Sequence, residues 1–248
     1  LVGGANIKSG NGTITEMSGG QQQIFNTNSG SIITMSGVSA RQIIGVYSYN
    51  GSGAYGSIET MENGTQYCGY DSYGGYGTGT IELMNNGAQI VGYSAATNTC
   101  VGSITSMNSG VQTINVSGVG IITTMSGGTQ IINNAGTGTV TALLGGSQIV
   151  ASGGTATDTT VGSGGLQYIE AGAVISGTVL DGGILRLAQA DSDYILNNTL
   201  TINNGVLDLT DGAGLKRNLR AVPVYQKLTM SDMQGTGGSI YLDTDLAN

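Results

Sequence analysis

Eight glutamines punctuate the chain at Gln22, Gln42, Gln66, Gln89, Gln112, Gln130, Gln148 and Gln167, each two residues after a glycine or a glycine-like turn. Their spacings are 20, 24, 23, 23, 18, 18 and 19 residues, which describes one unit repeated, with insertions in three middle copies. A unit of 18–24 residues built from short β-prone segments and Gly-rich corners cannot bury a core alone, so copies must stack. Leucine-rich repeats of similar length need a framework that is absent here, and propeller blades need about 40 residues. The expectation is an all-β chain, a right-handed parallel β-helix (β-solenoid) of stacked rungs, the hand following from the chirality of parallel crossovers.

Two further ladders share the period. Met17, Met61, Met84, Met107, Met125 and Leu143 stand five residues before a glutamine, with Met35 and Val161 displaced by small insertions. Three residues earlier come Ile14, Ile32, Ile58, Ile81, Ile104, Ile122 and Val140. A spacing of three cannot keep both residues on one face of a straight strand, whose period is two, so a bend or bulge lies between them. Two residues after each glutamine stands Ile24, Ile44, Cys68, Val91, Ile114, Ile132, Val150 or Ile169. Residues i and i+2 share a face, so if this apolar ladder points inward the glutamines do too. Their amides, about 4.8 Å apart in a stack, then hydrogen-bond from rung to rung.

Composition agrees. Of 248 residues 45 are Gly, Trp and His are absent, 39% are apolar and only 9% are charged. Collagen needs far more glycine and proline, and a disordered chain needs lower hydrophobicity or higher charge. Net charge is −8, no Lys or Arg lies between Arg41 and Arg186, and five of the seven basic residues lie from Arg186 onward. Nucleic acid is therefore not an expected partner, because phosphate binding needs a basic surface. No apolar run is long enough for a membrane-spanning helix, and the start Leu1-Val2-Gly3-Gly4 has no signal-peptide pattern, as expected of an internal fragment.

The regular repeat covers 1–183, with Tyr-rich insertions at about 45–100. From Gly183 the Gly-Gly turns thin out, and 184–248 read as less regular rungs on the same axis, with no low-complexity linker between.

Segments such as Ser126-Gly127-Gly128-Thr129-Gln130-Ile131-Ile132, Gly145-Gly146-Ser147-Gln148-Ile149-Val150 and Ser152-Gly153-Gly154-Thr155-Ala156-Thr157 resemble the repeats of self-associating autotransporter adhesins of the AIDA and TibA kind. The ending, Leu228-Thr229-Met230 through Leu246, is similar to the late part of autotransporter passengers. The resemblance implies a passenger exported through the outer membrane and displayed on a bacterial cell surface. Its partners would be itself on neighbouring cells and a host-cell surface protein or glycan, with biofilm formation as the result. It also implies O-glycosylation on Ser and Thr by a heptosyltransferase before export.

Candidate surfaces follow from the repeat. Eight of the twelve tyrosines fall between residues 47 and 93, and Tyr47, Tyr49, Tyr55, Tyr70, Tyr73, Tyr76 and Tyr93 form a candidate binding surface if the inserted loops leave one corner of consecutive rungs. The alternative is that these rings cover the solenoid's own apolar positions. The residue after each glutamine faces outward, and Ile43, Tyr67, Ile90, Ile131, Ile149 and Tyr168 make a candidate self-association stripe, although scattered apolar residues on a β surface need no partner. Ser18, Ser109, Ser126, Ser152 and Ser163, each before a glycine at a corner, are the candidate O-glycosylation positions. Cys68 and Cys100 are expected to form one disulfide, the alternative being that Cys68 is a buried free thiol in the inward ladder.

Catalysis is not expected, nor any cofactor or metal. Glu59 and Glu82 share a repeat position one rung apart, a distance compatible with a polysaccharide-active β-helix enzyme, but this part of the chain has no base to join them. A structural spacer solenoid is a further alternative. An ice-ordering face is disfavoured because no T-x-T motif persists from rung to rung.

Overall fold

The computed structural model describes residues 7–8, 12–25, 28–46, 53–69, 76–92, 99–188, 194–208 and 228–241. Among these there are strands and corners and no helix, and the strands pair in parallel as a β-solenoid. One turn shows the plan: a long strand Ala54–Met61, a corner at 62–64, then a short strand Thr65–Cys68. Long strand stacks on long strand and short on short, in register with the turns before and after.

The bend demanded by the Ile-to-Met spacing lies inside the long strand. Burial alternates from Ala54 to Ile58, then Glu59 and Thr60 both face outward and Met61 returns to the core. Pairing passes from Ile58–Ile81 to Thr60–Leu83 and leaves Glu59 out, so one chain segment walls two sides of the solenoid. The corner after Met84 is turned by Gly87 at φ 104°, where a Cβ would lie 2.8 Å from the Gly64 carbonyl. Such a backbone is open to glycine at no steric cost. Met35, seven residues before its glutamine, still stacks between Met17 and Met61. The corner, not the ladder, absorbs the additional residues.

All eight glutamines are buried, at 1% exposure or less. Each Nε2 donates to Oε1 of the glutamine one turn earlier, from Gln42 onto Gln22 through to Gln167 onto Gln148, at 2.6–2.7 Å. Burying a bare amide costs roughly 1–3 kcal/mol, and the ladder offsets that cost at every turn.

Opposite the glutamines, on the inner face of the long strands, runs a column of Gly30, Gly56, Gly79, Gly102, Gly120 and Gly138. A Cβ at any of them would fall 2.7–3.0 Å from an amide atom of a ladder glutamine. The absence of side chains there lets the two walls close on the amides. After Gly138 the column changes to Ala156 and Ile175, and hydroxyls enter instead: Thr159 Oγ1 donates to Gln148 Oε1 at 3.2 Å and Thr178 Oγ1 to Gln167 Oε1 at 3.1 Å. The register partner of Gln167 on the next turn is Leu185, which has no side-chain donor, so Thr178 terminates the ladder.

Beyond residue 183, Ile184–Leu187 pairs with the turn before it and with Tyr194–Asp208, which pairs in parallel with Leu228–Tyr241.

Candidate functional site

The short strands present two outward columns. One holds Tyr67, Ile90, Thr113, Ile131, Ile149 and Tyr168 in register, all half-buried. The other holds Thr65, Ala88, Val111, Thr129, Ser147 and Leu166. Six consecutive turns of this face therefore carry no charge. Arg41 bounds it on one side and Arg186 on the other. Ile43 stands in the same column but is buried at 4%, set between the longer Gln23 and Tyr67. It cannot contribute to a contact surface, and this is a correction to its place in the stripe. Arg186 donates to Asp208, its register partner on the next turn, at 2.8 Å, so the charge that closes the face is itself paired.

The long strands carry a different face. An open groove of about 500 Å³ crosses four turns, lined by residues that include Ile33, Tyr55, Ser57, Glu59, Thr80 and Glu82. Tyr55 lies within the strand Ala54–Met61, 44% exposed, and its Oη is 3.1 Å from Thr80 Oγ1 on the following turn. That bond draws the ring along the sheet surface. Tyr76 is half-buried immediately before the next long strand, and its carbonyl accepts from Ala54 N. Tyr47, Tyr49, Tyr70, Tyr73 and Tyr93 lie outside the described residues. Tyr55 thus belongs to the sheet rather than to an inserted loop. Glu59 and Glu82 are both exposed at the bend, and among the described residues no basic side chain lines the groove.

Sequence reasoning missed a column of hydroxyls along this face. Thr13, Ser31, Ser57, Thr80 and Ser103 stack in register, Ile121 interrupts them, and Thr139 resumes. Ser31 Oγ donates to Thr13 Oγ1 at 2.8 Å, and the Thr139 and Thr157 hydroxyls are 2.9 Å apart. The signal was present, since each of these residues immediately precedes the ladder Ile or Val. Corner amides also bridge turns, with Asn108 Nδ2 donating to Asn85 Oδ1 at 2.8 Å and Asn85 Nδ2 to Glu62 Oε1 at 2.9 Å.

Ser18, Ser109, Ser126, Ser152 and Ser163 are all exposed. Ser163 lies within the strand Thr160–Ile169, whereas the others occupy corners. Cys68 and Cys100 are both free thiols in the structure, with no covalent bond between them. Both are buried in a small cluster with Val91, and their sulfurs are hydrogen-bonded to each other.

No protein-family model matches the chain, and no curated protein matches it. Among solved structures, a TibA fragment with TibC-catalysed hyper-glycosylation is similar over 94% of this chain and 92% of that chain, at 17% identity and a TM-score of 0.29. A likeness of that size carries no function from one chain to the other.

Proposed function

We propose that the chain is part of a displayed bacterial adhesin that works by surface contact rather than by catalysis, and that the uncharged face of its short strands pairs with the same face of another copy. The observation that carries this reading is the run of six short strands, from Thr65–Cys68 to the strand segment holding Leu166 and Tyr168, whose outward columns hold no charged side chain in a protein of net charge −8. Two such faces meet without burying an unpaired charge, which would cost far more than the contact returns. Six turns at about 4.8 Å, across a four-residue strand at about 3.3 Å per residue, give roughly 380 Å². A standard stable interface needs about 800 Å² per partner. One pairing is therefore weak, and adhesion between cells arises from many copies acting together.

The exposed corner serines suit the O-glycosylation implied by the sequence resemblance, by a heptosyltransferase acting before export. A second contact, to a host glycan or protein, is favoured by the groove beside Tyr55, where an exposed aromatic ring lies next to hydroxyls and two carboxylates.

The test is a cell-display assay in which Ile90, Ile131 and Ile149 are each replaced by Lys. Aggregation should be lost while circular dichroism and melting stay near those of the parent. Full aggregation by the folded triple variant would overturn the pairing face. Tyr55→Ser, scored for attachment to host cells, examines the groove separately.

A further inference from the structure

Cys68 closes the short strand Thr65–Cys68, and Cys100 opens the long strand Cys100–Met107. Between them in the stack is Gly77, the register partner of Cys100 on the preceding turn. A Cβ on Gly77 would lie 3.4 Å from the Cys68 sulfur, so the space beside that sulfur is left clear by glycine. Cys68 Sγ lies 3.3 Å from the Val101 carbonyl oxygen and in hydrogen-bonding contact with the Cys100 sulfur. Two thiols separated by 31 residues of chain are therefore brought together at a site that each turn of the stack helps to build.

We propose that Cys68 and Cys100 are a disulfide-forming pair, oxidised as these turns close and then sealed in the core, where the bond ties the turn of Cys68 to that of Cys100 across the turn opened by Gly77. The inference stands independently of the adhesive reading. The hydrogen bond from Cys68, assisted by the Gly77 backbone, holds the Cys100 thiol below its ordinary value despite burial. The same hydrogen bond, followed by burial, pushes the Cys68 thiol well up. Both shifts belong to the closed turns; in the open ones either cysteine can supply the first thiolate, as Cys100 does in the following order. It displaces one sulfur of a small disulfide oxidant, forming a mixed disulfide and releasing the oxidant's first thiolate. Cys68 gives up its proton, attacks Cys100 Sγ and releases the second. The two cysteines lose two electrons and two protons, and the oxidant is reduced to two thiols. Both sulfurs are at or below 1% exposure, so the exchange belongs to the open turns and the finished bond is shielded from reductant.

The full chain, unfolded with reductant, is refolded in oxidised and reduced glutathione and quenched with acid. The expected product is a monomer lighter by two hydrogens, with no thiol titrating in denaturant, whose bond yields to dithiothreitol only after denaturant is added. Two titratable thiols, glutathione adducts on the folded chain, a bond between chains, or ready reduction of the native protein would each overturn the proposal. The same thiol count, made on chain exported to a bacterial periplasm and alkylated at lysis, reads the outcome without a refolding step.

Discussion

Gln89 and Gly102 share one space: a Cβ on Gly102 would lie 2.9 Å from Gln89 Oε1 and against the Val91 side chain. The amide of one wall fills what the glycine of the other leaves empty, and the pair recurs from Gly30 to Gly138. Gly102 is thereby a packing residue.

Gly102→Ala should lower stability by about 1–3 kcal/mol through overpacking. Gly19→Ala, where a Cβ meets only Ser39 Oγ at 3.4 Å, should stay within about 0.5 kcal/mol. Urea midpoints of the two variants check the contrast, and equal losses would show that the inner column is not what matters.

Gln130 donates to Gln112 and accepts from Gln148. Gln130→Leu leaves one acceptor and one donor unpaired, at a cost of about 1–3 kcal/mol each. Gln130→Glu places a buried carboxylate against Gln112 Oε1 and should cost more at neutral pH. Burial raises the folded-state pKa of the new carboxyl above its unfolded value near 4.3. The protonated form donates as the amide did, so stability should be regained below that value and lost as pH rises through the raised folded pKa. Melting of both variants from acid to neutral pH reads the crossover.

Thr178→Val removes the hydroxyl donating to Gln167 Oε1, whereas Thr159→Val removes one of two donors to Gln148 Oε1, the other being Gln167 Nε2. The first should cost about 1–3 kcal/mol and the second nearer 0.5–1.5 kcal/mol. Equal losses in chemical denaturation would show that Thr178 does not terminate the ladder.

Arg186 and Asp208 are paired at 2.8 Å, with side-chain exposures of 31% and 9%. Arg186→Met removes the cation from the more buried carboxylate and should cost about 1–3 kcal/mol, less than the 3–5 kcal/mol of a fully enclosed pair because Arg186 is partly solvated. Asp208→Asn should cost less, since the charge left behind is the solvated one. Denaturant melts of the two variants test the order.

Much of the fold was legible because the repeat is dense. The glutamine period, the methionine ladder and the three-residue step to the isoleucines together required stacked turns with a bend, and Ile58, Glu59 and Met61 display it. The glycine column was equally periodic, two residues before each ladder Ile or Val. Its role was not legible, because glycine reads as a turn former until the opposite wall is known. The candidate surfaces were less accessible still. Tyr55 reads as part of an insertion but lies on the sheet, and Ile43 reads as outward but is covered.

Sequence by itself determined the unit, its period and which side chains recur, because period-two strands and stacking at one strand spacing turn a repeated letter into a column. Tertiary structure decided what each column faces. Glutamine and glycine come from strands of successive turns, Thr178 meets Gln167 from 11 residues away, and Cys68 meets Cys100 across a glycine one turn removed. Such meetings depend on the distance between walls, set by the sum of side-chain volumes around the whole turn, and no local pattern along the chain encodes that sum.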